Sequence, residues 1–282
     1  MAGNIELSII ILNYNTKELL ADCLNSIKKC ENEVPLEVIV SDNGSSDGSS
    51  RLVKQKFPWV KLLMGGNVGF AKGNNRARPY VKGKMVLFLN PDTVLNKNVL
   101  KETTNYLKNH DDVGALSCKL ILPSGKIDKD ARRRFPTPWI SFMRLFLRNG
   151  RKYWYQDVDP NKIQEVDAIQ GAFFLTWKDI LDKVGWFNED YFFKGEDLDL
   201  CWKIKKAGWR IIYYPNVFIH HLKGASTKES KSLKPTFASV DAMEMFYRKN
   251  LWKNYPILFN WFVILGIRIF KLLRWFKHKF LL

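Results

Sequence analysis

Residues 7–12 form an apolar run rich in β-branched side chains, broken by Ser8 alone. Without alternation, such a run is expected of a strand buried on both faces. Leu19, Leu20, Cys23, Leu24 and Ile27 then recur at helical spacing, and Thr16 stands at the N-cap position of that helix. Residues 38–40 read as a second strand that ends in the turn-rich segment 41–48, and a helix follows. Residues 59–63, 84–89 and 113–117 read as further strands, with a Gly/Asn segment and a helix between the first two. Strand alternating with helix in this way predicts an α/β fold, a mostly parallel sheet flanked by helices on both faces. Residues 123–164 are less regular and rich in Arg, Pro and aromatics. A further helix over 196–207 is stopped by Gly208.

The pattern changes again at the end. Residues 245–282 hold eight Lys or Arg and no acid. On a helix, Leu265, Ile269, Leu272, Leu273, Phe276 and Phe280 share an arc of roughly 100°, with Arg268, Lys271, Arg274 and Lys277 on the other side. This predicts a helix lying in an anionic membrane interface, with Trp261 and Trp275 at headgroup depth. The alternative is an apolar face packed on the rest of the chain or on a second subunit, as in a homodimer. The longest uncharged apolar stretch, 256–267, is short of the roughly 20 residues that cross a bilayer. The first apolar run is short and preceded by Glu6, so neither a plain transmembrane anchor nor a secretion signal is expected.

Composition narrows the class. The 282 residues are 46% hydrophobic and 26% charged, as in a folded chain of one large or two small domains. Lys and Arg exceed Asp and Glu by 45 to 28, a net charge of +17 that calls for an anionic partner: nucleic acid, membrane or phosphate-bearing substrate. A nucleic-acid reader would need a basic groove with interleaved aromatics or a reading motif, and the sequence has neither. Cys23, Cys30, Cys118 and Cys201 have no zinc-like spacing and suit a reduced compartment.

In an open α/β sheet, ligands sit beyond the carboxyl ends of the strands. Asn13-Tyr14-Asn15, Asp42-Asn43 and Asn90-Pro91-Asp92-Thr93 all fall there. Each alone is ordinary turn material, but three on one edge mark a site. The sequence has no phosphate-binding G-x-x-x-x-G-K-[ST] loop and no G-x-G-x-x-G after the first strand, which argues against kinase-like and dinucleotide readings. The loop 67–75, with Asn67, Gly69, Phe70 and Asn74, is rich in donors and enters a helix, a place where phosphate can be approached. Asp92 at a strand end could share Mg²⁺ or Mn²⁺ with a diphosphate, or simply make a turn. Glu196, Asp197 and Asp199 crowd the first turn of a helix after the stretch 191–195. Three acids exceed what capping needs, so one is a candidate general base toward a hydroxyl. His220 and His221 point to opposite faces of a strand, so one at most serves the site. Arg132, Arg133 and Arg134 form either a solvated charge run or a contact to donor or acceptor phosphate.

Taken in order, these pieces resemble family 2 glycosyltransferases of the GT-A fold, in the rhamnosyltransferase-like branch. The matching stretches are 8–15, 40–49, 67–71, 89–93, 170–174, 195–201 and 221–226. The resemblance implies that Tyr14 and Asp42 hold the nucleotide base and ribose, in a donor site that includes Asn13, Asn15, Asn67, Gly69, Phe70, Asn74, Asn90, Gly171 and Ala172. Asp92 corresponds to the retained acid of the metal-binding D-x-D motif, His221 to a second metal ligand and Asp197 to the catalytic base. Glu196, Arg132, Arg133, Arg134 and Lys223 are assigned to acceptor or diphosphate. Asn90 departs from the pattern by replacing the first acid of D-x-D, and Lys223 by standing where Gly is common.

The implied activity is inverting, metal-dependent transfer from a nucleotide-diphosphate sugar to a hydroxyl of a lipid-linked glycan in cell-surface polysaccharide synthesis. The favoured donor is dTDP-rhamnose, with a UDP-hexose or UDP-N-acetylhexosamine as alternatives. The expected organisation is a catalytic domain over 1–244, nucleotide half 1–117 and acceptor half 118–244, followed by a membrane-associating tail over 245–282. The expected location is cytoplasmic, peripheral on the inner face of the cell membrane. A non-catalytic basic membrane- or nucleic-acid-binding protein is the rival, and the intact Asp92, Asp197 and His221 set weighs against it.

Overall fold

The apolar runs of the first half become the parallel part of one sheet. The structure, a computed structural model, describes residues 5–222 and 234–280. The first half runs β1 (Leu7–Asn13), α1 (Lys17–Lys29), β2 (Leu36–Asp42), α2 (Ser49–Lys56) and β3 (Lys61–Met64). It continues through α3 (Phe70–Asn75), β4 (Met85–Leu89), β5 (Thr93–Leu95), α4 (Val99–Lys108) and β6 (Val113–Ile121). The second half has β7 (Arg132–Arg133), α5 (Pro138–Leu145), β8 (Gln164–Glu165), β9 (Ala168–Ile169) and β10 (Phe173–Trp177). It ends with α6 (Lys178–Val184), α7 (Glu196–Lys206), β11 (Arg210–His221), α8 (Lys234–Phe246) and α9 (Ile257–Phe280).

The main sheet has the order β3-β2-β1-β4-β10-β6-β11-β5, with β8 also pairing β11. β3, β2, β1 and β4 are parallel, as the alternation predicts. β10 then enters antiparallel to both β4 and β6, so the whole sheet is mixed. Its Phe173, Phe174 and Leu175 are fully buried, and burial on both faces does not encode strand direction. β11 runs parallel to β6, but their register slips between Tyr214 and Phe218 before pairing resumes. Beyond the bulge, His221 lies opposite Thr93 of β5. The small sheet β7-β9 carries Arg132 and Arg133 beside the main one.

Thr16 precedes α1 but does not cap it. Its hydroxyl donates to Asn13 Oδ1 at 2.7 Å, because the buried Asn13 at the strand end needs a partner.

α8 runs past residue 244, and Phe246, Tyr247, Leu251 and Ile264 all join the main hydrophobic core. Asn260 is buried on α9, accepting from the Tyr247 hydroxyl and donating to the carbonyls of Trp252 and Tyr255 at 3.0 Å. Arg268 pairs with Glu244, Lys271 with Asp241, and Arg274 donates to Ser239. The side of α9 that packs inward carries Ile264 in the core with Val263 and Ile267 against it, and its cations pair with α8 at the exposed edge of that contact. Leu265, Ile269, Leu272 and Leu273 face outward at 44–56% exposure, and Phe276, 45% exposed, has its ring against Trp275. The side chains of Lys277 and Phe280 lie outside the described ones. Among the described residues no helix is long and apolar enough to cross a membrane.

Candidate active site

The ends of β1 and β2 are knit into one surface. Asn13 Nδ2 donates to Asp42 Oδ2 and to Ser45 Oγ, both at 2.9 Å. Asp42 Oδ1 in turn accepts the N–H groups of Gly44 and Ser45 at 3.1 and 2.8 Å. Asn15 Oδ1 accepts from Ser46 N–H at 2.8 Å. Asp42 thus shapes the loop that follows it, with both oxygens engaged, while Tyr14 stands half exposed above the cluster. Asn43 bridges onward, donating to Asn67 Oδ1 and accepting from Val68 N–H.

The donor-rich loop is clasped from the other side. Gly69 has φ +87°, and a Cβ there would lie 2.5 Å from the carbonyl oxygen of Phe192. Phe70 N–H donates to that same oxygen at 2.8 Å, and the buried Asn74 donates to Phe70 O. Only glycine tolerates both the left-handed backbone and the close approach. The Phe70 ring lies against Gly171, whose N–H reaches Asp197 Oδ2 at 3.4 Å, and Asn90 N–H donates to Ala172 O at 3.2 Å. The sequence-predicted residues of the donor group therefore converge on one edge, where a single N–H separates them from the acids of α7.

Those three acids have different fates. Asp199 Oδ1 accepts from Asn250 at 2.9 Å and from the Tyr191 hydroxyl, a structural role. Asp197 Oδ1 accepts its neighbour's N–H at Leu198, and Oδ2 takes Arg133 Nη2 at 2.7 Å. Glu196 is buried, and its Oε2 has no hydrogen-bond partner among the described residues. Burial, reinforced by the Asp197 charge, pushes its carboxyl up to about 8.

The arginine run is not a solvated loop. Arg132 and Arg133 are 6% and 8% exposed in β7. Arg132 donates to the carbonyl of Val158 at 3.1 Å and lies over the Tyr213 ring. Arg133 bonds Asp197 and Ile169 O, and its guanidinium is held even more firmly protonated than usual by Asp197, against the pull of burial. Arg134 pairs with Asp157 at 2.8 Å. Each of the three has a protein partner, a carboxylate for Arg133 and Arg134 and backbone carbonyls for Arg132, and the Arg133 pairing across 64 residues is invisible in the local sequence. Lys223 lies outside the described residues.

Asp92 and His221 are both buried, with His221 Nε2 3.5 Å from Asp92 Oδ1. His221 Nδ1 meets Asp128 Oδ2 at 2.9 Å. Burial alone would lower the imidazole's affinity for a proton, but Asp128 and Asp92 outweigh it and raise its pKa to about 9. His220 points away, edge-on to Phe218. The pair fits a hard divalent cation: cis ligands at about 2.1 Å from an octahedral ion stand about 3 Å apart. A carboxylate behind the histidine is the usual way to fix which nitrogen faces a metal. Two protein ligands leave positions for substrate phosphate and water, as such ions require. Among the described residues no group of three such side chains forms a complete site. Asp128 was missed by sequence reasoning, since it lies 93 residues from its partner in an unremarkable turn.

A parallel half-sheet, a polar strand-end edge and a helix-borne carboxylate beside it make up the architecture of the GT-A fold. The chain belongs to the family described as Glycosyltransferase like family 2, whose model matches residues 4–238. It is 28% identical over 241 residues to the N-acetylglucosaminyl-diphospho-decaprenol L-rhamnosyltransferase of Mycobacterium tuberculosis, covering 78% of this chain and 77% of that one. It is 26% identical over 214 residues to the rhamnosyltransferase WbbL of Escherichia coli, covering 73% and 80%. Among solved structures it resembles the mannosyltransferase PcManGT of Pyrobaculum calidifontis, in complex with GDP-Man and Mn²⁺, with a TM-score of 0.58 and 20% identity. That match covers 86% of this chain but less than two thirds of the mannosyltransferase, 63%.

Proposed function

We propose that this glycosyltransferase moves a sugar, with dTDP-rhamnose the favoured donor, onto a hydroxyl of a lipid-linked glycan, inverting the anomeric carbon, in cell-surface polysaccharide assembly. The observation that carries the reading is the position of Asp197, joined to the donor edge through Gly171 N–H and held by Arg133. In this scheme Asp197 accepts the acceptor hydroxyl's proton as its oxygen attacks, and the bond to the diphosphate breaks with its electron pair leaving on phosphate. Asp92 and His221 would hold Mg²⁺ or Mn²⁺, which when bound supplies charge neutralisation for that leaving group. Arg133 acts through Asp197, fixing the direction of its carboxylate. A second reading gives the proton to Glu196, favoured by its unpartnered Oε2. The rhamnose preference is supported by the Asn90-Pro91-Asp92-Thr93 variant and by the two rhamnosyltransferases among the relatives. The outward apolar arc of α9 supports peripheral attachment to the cytoplasmic face of the membrane.

The test is a calorimetric titration with dTDP, UDP and GDP, each with and without Mn²⁺, followed by transfer assays. Metal-dependent dTDP binding lost in Asp92→Ala is expected. Asp197→Asn should keep nucleotide affinity and lose roughly 10²–10⁴ in turnover. Absence of any nucleotide binding overturns the reading, and wild-type turnover in Asp197→Asn with loss in Glu196→Gln moves the base to Glu196.

A further inference from the structure

The proposed acceptor leaves its hydrocarbon part without a place, and α5, α8 and α9 enclose an apolar groove of about 430 Å³. That volume lies within the range of ~300–1,000 Å³ that buries small-molecule ligands. Its walls are Trp139 and Phe142 on α5, Met243 on α8, and Phe262, Gly266 and Phe270 on α9. Trp139 stacks on Phe142 and Phe142 on Phe146, whose ring meets Phe270 at 6.1 Å and so joins the two walls. The two hydroxyl-bearing side chains of the lining are already satisfied inside the protein. Ser141 donates to Pro136 O and Tyr247 to Asn260. An extended polypeptide buried there would leave its backbone N–H and C=O groups unpartnered, a cost that hydrocarbon does not meet.

Both ends of the groove have an address. At the inner end, Pro136 on its rim is three residues from Arg133, which bonds Asp197. Phe135 between them packs on Trp202 of α7 at 4.8 Å, so this end adjoins the helix that bears the acids. At the outer end, Phe262 and Gly266 lie next to Leu265 and Ile269 around α9, so the groove runs into the outward apolar arc. One apolar path thus leads from the exposed stripe to the neighbourhood of the proposed base.

We infer that this groove holds the first isoprene units of the acceptor's polyprenyl chain and thereby sets the attached diphosphate sugar toward Asp197. The inference rests on the lipid-linked acceptor of the proposed function. A longer prenyl chain continues along the outward apolar arc of α9 into the bilayer.

Gly266 gives a clean perturbation, because an added Cβ there meets nothing within 4 Å. Gly266→Trp projects a ring into the groove from the α9 wall, and Gly266→Leu does so partially. The full chain in detergent is irradiated with a diazirine-bearing farnesyl diphosphate, and labelled peptides are mapped by mass spectrometry. Wild type should be labelled within 138–147 and 257–270, with labelling reduced at least tenfold in Gly266→Trp and by an intermediate amount in Gly266→Leu. dTDP titration of each variant reports whether the nucleotide site survives.

Equal labelling of wild type and both variants overturns the inference. So does equal labelling of these peptides by a diazirine-acyl phosphatidylglycerol in vesicles, which would make the groove a seat for bilayer lipid. A concentration-dependent dimer abolished by Gly266→Trp would assign the groove to a second copy and also overturn it. Prenyl labelling with no transfer from any donor would keep the groove and remove the enzymatic reading. Transfer to a prenyl-linked acceptor with no labelling would do the reverse.

Discussion

Arg133→Met tests whether the proposed base is held by a buried charge pair. Both side chains of the Arg133–Asp197 pair are 10% exposed, with nitrogen and oxygen 2.7 Å apart. Charge centres roughly 4 Å apart attract by about 4 kcal/mol at an effective dielectric near 20. Removing the cation leaves the Asp197 carboxylate desolvated, with only the N–H groups of Gly171 and Leu198 for company. Breaking one side of a buried pair costs about 3–5 kcal/mol, whereas replacing both partners by apolar groups is close to neutral. With a urea slope of about 3 kcal/mol per molar, the midpoint should fall by roughly 1–1.7 M in Arg133→Met. Most of that loss should return in the double variant Arg133→Met/Asp197→Leu. The assay is urea unfolding followed by tryptophan fluorescence at pH 7. A single variant within 1 kcal/mol of wild type, or a double variant no better than the single, would refute the reasoning.

Three further outcomes follow from the same geometry. Glu196 in the native state keeps a proton between its ordinary value near 4.5 and about 8 that the unfolded chain has already released. Its contribution to stability should therefore fall as pH rises through that window, by at most about 1.4 kcal/mol per unit; His221, raised to about 9, adds a further fall from its ordinary value near 6.5 up to about 9 in both proteins, so Glu196→Gln should shrink the urea midpoint shift from pH 6 to 8 without abolishing it, and equal shifts in both proteins would contradict this. Asp128→Asn should weaken Mn²⁺ binding about 10–100-fold by loosening His221, with metal-free dTDP affinity unchanged, as read by calorimetry. Asn260→Leu strands the Tyr247 hydroxyl and the carbonyl of Tyr255, at a cost of about 1–3 kcal/mol for each group left unsatisfied, while the Trp252 carbonyl keeps Tyr255 N–H at 3.5 Å. Limited trypsin digestion should then cleave faster at Lys253, and an unchanged rate would show that Asn260 does not anchor α9.

The parallel half of the sheet was legible because apolar runs such as Leu7–Asn13 and Met85–Leu89 announce strands buried on both faces. β10 was not legible as an antiparallel insertion, since Phe173–Trp177 would look the same in either direction. Asn13, Asp42 and Asn90 could be placed by topology, because strand alternation fixes which ends of parallel strands face the site, whereas Gly171 and Ala172, ahead of the antiparallel β10, came only with the family resemblance. The arginines could not be placed, because what decides their state is a carboxylate or a carbonyl contributed from elsewhere in the chain. Arg133 and Asp197 meet across 64 residues, and Asp128 and His221 across 93. α9 carried a readable amphipathic pattern, yet the pattern could not say which side would dock. The side that docks carries Ile264, Val263 and Ile267 into the core, with exposed pairs to Asp241 and Glu244 at its edge.

The bulge in β11 divides that strand into two stretches with opposite tolerance for changes in length. Between Tyr214 and Phe218 the strand bows away from β6 before its ladder resumes at Phe218. A residue inserted or deleted at 215–217 can be taken up by the bow, leaving the downstream ladder in place and His221 still opposite Thr93. The same change between Phe218 and His221 has no slack to absorb it. It exchanges the two faces of the strand, turning His220 inward toward Asp92 and Asp128 and His221 out to solvent. Chain-length variation among such enzymes is thus expected before Phe218 and forbidden after it, with the spacing from Phe218 to His221 acting as a fixed ruler.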